Sequence, residues 1–205
     1  MENVFVVRFN VASEAYQALT ELRQEPVTDN YTVSQACIVT KKDDRITAAD
    51  QFDTGIETDN DTASGTLIGG LIGILGGPIG ILLGASYGMM VGNIIDMADT
   101  VDNASLIEQV CGTMVNGETA MIALVSEKAP ETFAAAMHKF NTEVACFEAA
   151  EVAAEVEKAD ELERVMQKEA REQLREEKKE EFKKKVEEKR KEIADGFEKV
   201  KEKLS

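Results

Sequence analysis

The stretch GTLIGGLIGILGGPIGILLGASYGMMVGNII, residues 65–95, sets the terms for the rest of the chain. Two glycine registers run through it. Gly65, Gly69, Gly73 and Gly77 recur every four residues, and Gly76, Gly80, Gly84, Gly88 and Gly92 do the same across Pro78. Residues four apart share one face of a helix, so each half carries a stripe without side chains. Glycine costs an exposed helix about 1 kcal/mol per residue against alanine. Such a stripe makes sense where a second backbone comes close, as in small-xxx-small helix contacts. The other faces carry Leu67, Ile68, Leu71, Ile72, Ile74 and Leu75, then Ile79, Ile81, Leu82 and Leu83. A helix apolar all round is buried somewhere. Gly76-Gly77-Pro78 divides the stretch, because proline removes a helix donor and disfavours helical geometry in the residue before it. The expected result is two arms, about 63–75 and 79–97, folded into a helical hairpin, with a single kinked helix as the lesser alternative. Gly69, Gly73, Gly77, Gly80, Gly84, Gly88 and Gly92 are the candidate self-association residues.

Both flanks of this hairpin read as an α+β domain. Residues 4–9, VFVVRF, are β-branched and aromatic, a strand signature. Ser13 can cap a helix to about Gln24, with Ala15, Leu19 and Leu22 on its apolar side. Residues 31–40 and 46–52 are strands joined by the polar turn Lys42-Asp43-Asp44-Arg45, a hairpin. Beyond the apolar stretch, Asp102 is placed to cap a helix from Asn103 to about Met114, ended by an Asn116-Gly117 turn. Residues 119–125 give a fourth strand. Pro130 and Glu131 suit the first turn of a helix carrying Phe133, Ala136, Met137 and Phe140. Residues 143–147 give the last strand.

From Glu151 the composition turns to Glu, Lys, Arg and Ala, with no proline. Asp160/Arg164, Glu180/Lys184, Glu181/Lys185 and Glu187/Lys191 are i, i+4 pairs with the acid first, the favoured order. This is a separable charged helix, so the domains are read as 1–150 and 151–205. Deleting residues 155–205 is expected to leave the melting temperature of the rest nearly unchanged. Val186, Ile193 and Val200 recur every seven residues, with Phe197 and Leu204 as a second register, so the tail has the makings of a short coiled-coil seam to another helix. A solvated helix with weak pairing is the plainer reading.

Net charge is −16, and it is unevenly placed. Residues 1–150 hold 7 Lys and Arg against 21 Asp and Glu, while the tail holds 16 against 18. An acidic domain argues against nucleic acid, whose binding is driven by cations that neutralise phosphates. It also disfavours docking on anionic lipid. Cys37, Cys111 and Cys146 have no CxxC or Cys/His zinc spacing and read as small buried hydrophobes of a reduced cytosol. The N-terminus MENVFVVRFN lacks a basic n-region, so no signal peptide is expected.

The order of these elements, with the glycine stretch, the Val101-Asp102-Asn103 helix opening, NGETAMIALV, APETFAAAMHKF and TEVACFEA, resembles the bacterial domain-of-unknown-function family 1269, whose members are labelled predicted membrane proteins. The resemblance covers about residues 4–149. It implies a ferredoxin-like antiparallel sheet with helices on one face and an inserted glycine-zipper hairpin. The family carries no established reaction, so the resemblance transfers no catalytic residue.

No residue pattern supplies a chemistry either. His138 is the lone histidine, read as structural. Asp96, Asp99 and Asp102 have oxygen ligands for a divalent cation, but they better suit solubilising the hairpin exit and capping the next helix. Asp43-Asp44 is a turn, Asp59 and Asp61 belong to an acidic loop, and Met89, Met90 and Met97 are packing filler. No phosphate-binding glycine pattern is present. We therefore expect no catalytic, cofactor or metal residues, and not an enzyme. The leading reading is a cytoplasmic homo-oligomeric assembly or scaffold protein. The alternatives are a membrane-anchored protein with residues 66–95 in lipid, or a small-molecule sensor on a ferredoxin-like sheet. The arms hold about 12 and 17 apolar residues against the roughly 20 that span a bilayer, with no flanking Lys or Arg to orient them.

Overall fold

The computed structural model describes residues 2–56, 67–81 and 105–203, with backbone alone for 174, 176, 177, 179–183 and 186–203. Five strands form one antiparallel sheet: β1 (Glu2–Phe9), β2 (Tyr31–Lys42), β3 (Arg45–Asp53), β4 (Thr119–Glu127) and β5 (Thr142–Glu148). Their spatial order is β3-β2-β4-β1-β5. All five strands expected from sequence are present, with ends within two residues of the expected ones. The helices are α1 (Ala12–Gln24), α2 (Leu67–Gly76), α3 (Leu106–Thr113), α4 (Thr132–Met137) and α5 (Ala149–Lys203), with a 3-10 turn at His138–Phe140.

The β2–β3 hairpin turns on Asp43 (φ 51°) and Asp44 (φ 60°). Two successive left-handed residues make a primed turn, whose twist matches that of the strands, and aspartate tolerates this backbone better than most residues. Local starts differ from the expectation at three helices. At α4, Glu131 is the N-cap in a left-handed backbone (φ 64°) and Pro130 precedes it, so neither lies in the first turn. Val11, with no side-chain cap bond, precedes α1, and Ser13 lies inside its first turn. At α3, Ser105 Oγ accepts from Glu108 N (3.2 Å) and Glu108 Oε2 accepts from Ser105 N (3.4 Å). This reciprocal capping box starts the helix at Leu106. Asp102 and Asn103 fall outside the described residues.

The helices cover both faces of the sheet, not one. On the first face, Phe5, Val7, Ala36, Ile38, Met121 and Ala123 pack under Leu19 and Leu22 of α1 and Phe133 and Met137 of α4. The Phe133 ring lies 4.9 Å from Phe5 and meets Tyr31 edge-on at 5.4 Å. The alternate residues Val4, Val6, Cys37, Val39, Ile122 and Leu124 are equally buried on the opposite face. There Gln35 and Lys41 bond to α2 and to the end of α3. The cause is legible in β2 and β4: neither alternates between apolar and polar, and a strand buried on both sides reads as a continuous apolar run.

Two compact units divide the chain, Met1–Asp160 and Glu161–Ser205. The division falls ten residues beyond the expected 150/151. In the first unit, Ala149, Val152 and Val156 of α5 are buried. The long charged helix is present, but its opening turns belong to the domain core. In the second unit no described side chain is buried, and Leu162 and Val165 are about half exposed. The expected coiled-coil positions from Val186 onward have no described side chains.

Candidate functional site

The first glycine arm is α2, ten residues long. Leu67, Leu71 and Leu75 are fully buried, Ile68 and Ile74 nearly so, whereas Gly69, Gly73 and Gly76 are exposed. The helix is thus polarised by size: leucine and isoleucine fill the sheet side, and a strip of bare backbone faces outward. Gln35, itself buried in β2, accepts from Ile68 N at the helix start (3.2 Å), satisfying one of the orphan donors there.

The glycines of the series have different neighbours. A Cβ on Gly73 would meet nothing within 4 Å. One on Gly76 would lie 2.9 Å from the main-chain oxygen of Ile46, so the end of α2 approaches β3 through its backbone. Gly70, outside the four-residue registers, would place a Cβ 3.1 Å from Val156 Cγ1 on α5. Gly77 is half-buried and marks the break: its N–H donates to Ile74 O, and its C=O accepts from Ile81 N. Residues 78–81 are helical again. Gly80 is buried, and a Cβ there would come within 2.0 Å of Leu75 O, so the turn itself demands glycine. Gly84, Gly88 and Gly92 lie outside the described residues, as do Asp59, Asp61, Asp96, Asp99, Met89, Met90 and Met97.

Three polar side chains hold this layer together, and none was singled out from the sequence. Besides Gln35, the ammonium of Lys41, a residue 7% exposed, donates to Cys111 O (3.0 Å) and Met114 O (2.8 Å) at the end of α3. A cation there satisfies terminal carbonyls and opposes the negative end of the helix dipole. Glu155 of α5 accepts from Ile107 N (3.5 Å) at the other end of α3. Burial pushes the Glu155 carboxyl above its ordinary range, with the backbone bonds to Ile107 and Leu106 opposing. The sequence signal for the first two was there: Gln35 and Lys41 are polar side chains on either side of the apolar run at 36–39 of β2.

His138 and Cys146 meet in a different place. They line a cleft of about 620 Å³ on the α4 side of β5, with Phe5, Val144, Ala134 and Ala135. Cys146 is exposed, contrary to the expectation of three buried cysteines. The thiol sits on β5, which ends the strand order of the sheet. Cys37 and Cys111 are buried, and desolvation pushes both thiols up to about 11. A second cleft of about 270 Å³ lies on the opposite face of β5, lined by Arg8, Gln109, Thr113, Glu143 and Ala145 among others. Arg8 is held by Glu118 (2.6 Å) and Glu143 (3.5 Å). Among the described residues no group of three or more His, Cys, Asp or Glu could hold a metal ion.

Residues 62–159 match the family described as protein of unknown function, DUF1269. This is the family the sequence resembles. The DUF1269 match is shorter than the expected 4–149 at its start and runs on through the buried turns of α5, ending one residue before the compact unit does. Its span takes in α2, α3, β4, α4 and β5. Neither the curated proteins nor the solved structures give a match.

Proposed function

We propose that the chain is a non-enzymatic assembly protein, in which the α+β domain is a platform and the outward glycine face of α2 packs against a second copy. The observation that carries this reading is the division of α2 into a buried leucine side and an exposed Gly69/Gly73 side. Each exposed helical glycine costs about 1 kcal/mol against alanine, a cost that close backbone packing against a partner would offset. The order β2-β4-β1-β5, with α1 and α4 as crossovers, supports a ferredoxin-like platform to which β3 adds an outer strand. Acidity still argues against a nucleic-acid partner.

Membrane anchoring through residues 66–95 is the second reading. Among the described residues no helix is long and apolar enough to cross a membrane. At 1.5 Å per residue α2 extends about 15 Å, half the hydrocarbon thickness. Its apolar side is also already committed to the sheet, which favours the assembly reading. A cytoplasmic setting remains part of the proposal, in keeping with two buried, unpaired thiols.

Gly73→Leu is the clean test. Among the described residues a Cβ there meets nothing within 4 Å, and leucine raises helix propensity, so the described part of the domain does not oppose the substitution. The expected result is a smaller particle by light scattering with an unchanged circular dichroism spectrum. An unchanged mass would remove the glycine face as the contact surface.

A further inference from the structure

The two edges of the sheet are treated differently. At the β3 edge the pairing is interrupted by a register shift at Ile38/Val39, and charge covers the strand. Arg23 donates to Asp50 Oδ1 (2.7 Å) and to Gln51 O (3.1 Å), and Gln51 N–H donates to Asp50 Oδ1 (2.8 Å). Bulges and charges of this kind protect an edge from pairing with another chain. β5 has neither device at its centre. Its seven residues pair with β1 without a register shift, Phe9↔Thr142 through Asn3↔Glu148, and its middle reads Val144-Ala145-Cys146. Among the described residues no strand pairs with its outer side. Both faces of the strand also border clefts, one beside the short α4 and one beside α3.

We infer that β5 pairs antiparallel with β5 of a second copy about a two-fold axis at Ala145, continuing the sheet across the interface. The midpoint of Thr142–Glu148 is Ala145, so this register pairs all seven residues. It also sets Glu143 opposite Phe147 and Glu148 opposite Thr142, with Val144 opposite Cys146. No carboxylate faces a carboxylate, and directly opposed like charges are what destabilise an antiparallel pair. Glu143 is already bonded to Arg8, which lessens repulsion between two acidic chains. The added strand would lay Val144 and Cys146 of the second copy along the first cleft and Ala145 along the other. Closed two-fold symmetry is the commonest solution for such a self-complementary patch. This surface is distinct from the glycine face of α2 and does not rest on the reading given for it.

Cys146 supplies the test, because it is exposed while Cys37 and Cys111 are buried. In this register the two Cys146 side chains are diagonal neighbours, about 7–8 Å apart, within reach of a short bismaleimide. Treating the full-length chain at micromolar concentration should give a covalent dimer, and Cys146→Ser should give none. Ala145→Glu places two carboxylates on the axis and should cut the dimer yield at least tenfold while a monofunctional maleimide still labels Cys146 fully. Ala145→Lys should do the same alone, and mixing the two variants should restore the dimer. Full labelling of the wild type without a covalent dimer would overturn the inference. So would a dimer that Ala145→Glu leaves intact and Gly73→Leu abolishes, since that contact would belong to α2. Loss of mass in Gly73→Leu with the Cys146 dimer retained would separate the two surfaces and support both.

Discussion

Two truncations differing by six residues should behave very differently. A chain ending at Asp160 keeps Val152, Glu155 and Val156, and removes only a unit with no buried described side chain. A chain ending at Ala154 loses Val156, which is 6% exposed and stands over Gly70, and the Glu155 bond to Ile107 N. Burying a valine is worth about 1.5–2 kcal/mol. Losing the terminal bond to α3 and fraying the last turn that carries Val152 raise the total to about 2–3 kcal/mol. For a domain near 150 residues, each kcal/mol moves Tm by about 2–4 °C. The shorter chain should therefore melt about 5–10 °C below the longer one, and the longer one within about 1–2 °C of the full-length protein. Scanning calorimetry is the right assay, because the helical tail would dominate a circular dichroism melt. Equal melting of the two truncations would refute the placement of α5's first turns in the core. It would restore the simpler expectation that everything after residue 154 is dispensable.

Other outcomes follow from the same contacts. In a Val156→Ala background the 3.1 Å approach to Gly70 is gone, so Gly70→Ala should gain close to the full helix-propensity benefit of about 1 kcal/mol. In the wild type it should gain at least 0.5 kcal/mol less, roughly the coupling seen between touching residues, and denaturant-measured additivity would deny the contact. Lys41→Met strips two buried carbonyls of their donor and should cost about 2–4 kcal/mol by urea unfolding; a loss below 1 kcal/mol would mean the ammonium is not needed there. Glu155 titrates above its ordinary range in the folded protein, so the proton is bound more tightly folded than unfolded. Its contribution to stability is then fully present below the ordinary carboxylate range and is lost as pH rises through the raised value. Glu155→Gln should match the wild type near pH 4 and exceed it at pH 7, and a gap that narrows with rising pH would contradict the assigned direction.

The strands were legible because their signals are local. VFVVRF, the Asp43-Asp44 turn and the Asn116-Gly117 turn each specify their own backbone with little help from afar. Gly117, at φ +92°, sits where a turn residue was expected. The layering was less legible. Helices on both faces follow from the unbroken apolar runs at 36–39 of β2 and 120–125 of β4, a two-residue period that is absent rather than present, and absence is easily passed over. At the tail, composition changes at Glu151 while burial continues through Val152 and Val156. Ala149, Val152 and Val156 form an apolar stripe too short to stand out against Glu and Lys. The glycine series illustrates the limit most directly. Equal spacing suggested equal roles, yet Gly73 faces open space, Gly76 a strand backbone and Gly80 the turn before it. Gln35 and Lys41 were visible as polar intruders in β2, but the carbonyls and amides they serve come from helices distant in sequence.

The assembly reading stands or falls on the solution mass of the full-length chain beside its Gly73→Leu variant, measured by light scattering across a concentration series, in detergent if the protein requires it. We predict that the wild type is an oligomer, and that Gly73→Leu loses mass at every concentration with its sheet intact. A wild type that stays monomeric throughout, or an oligomer whose mass the leucine leaves unchanged, would contradict the claim that the outer face of α2 is where copies of this protein meet.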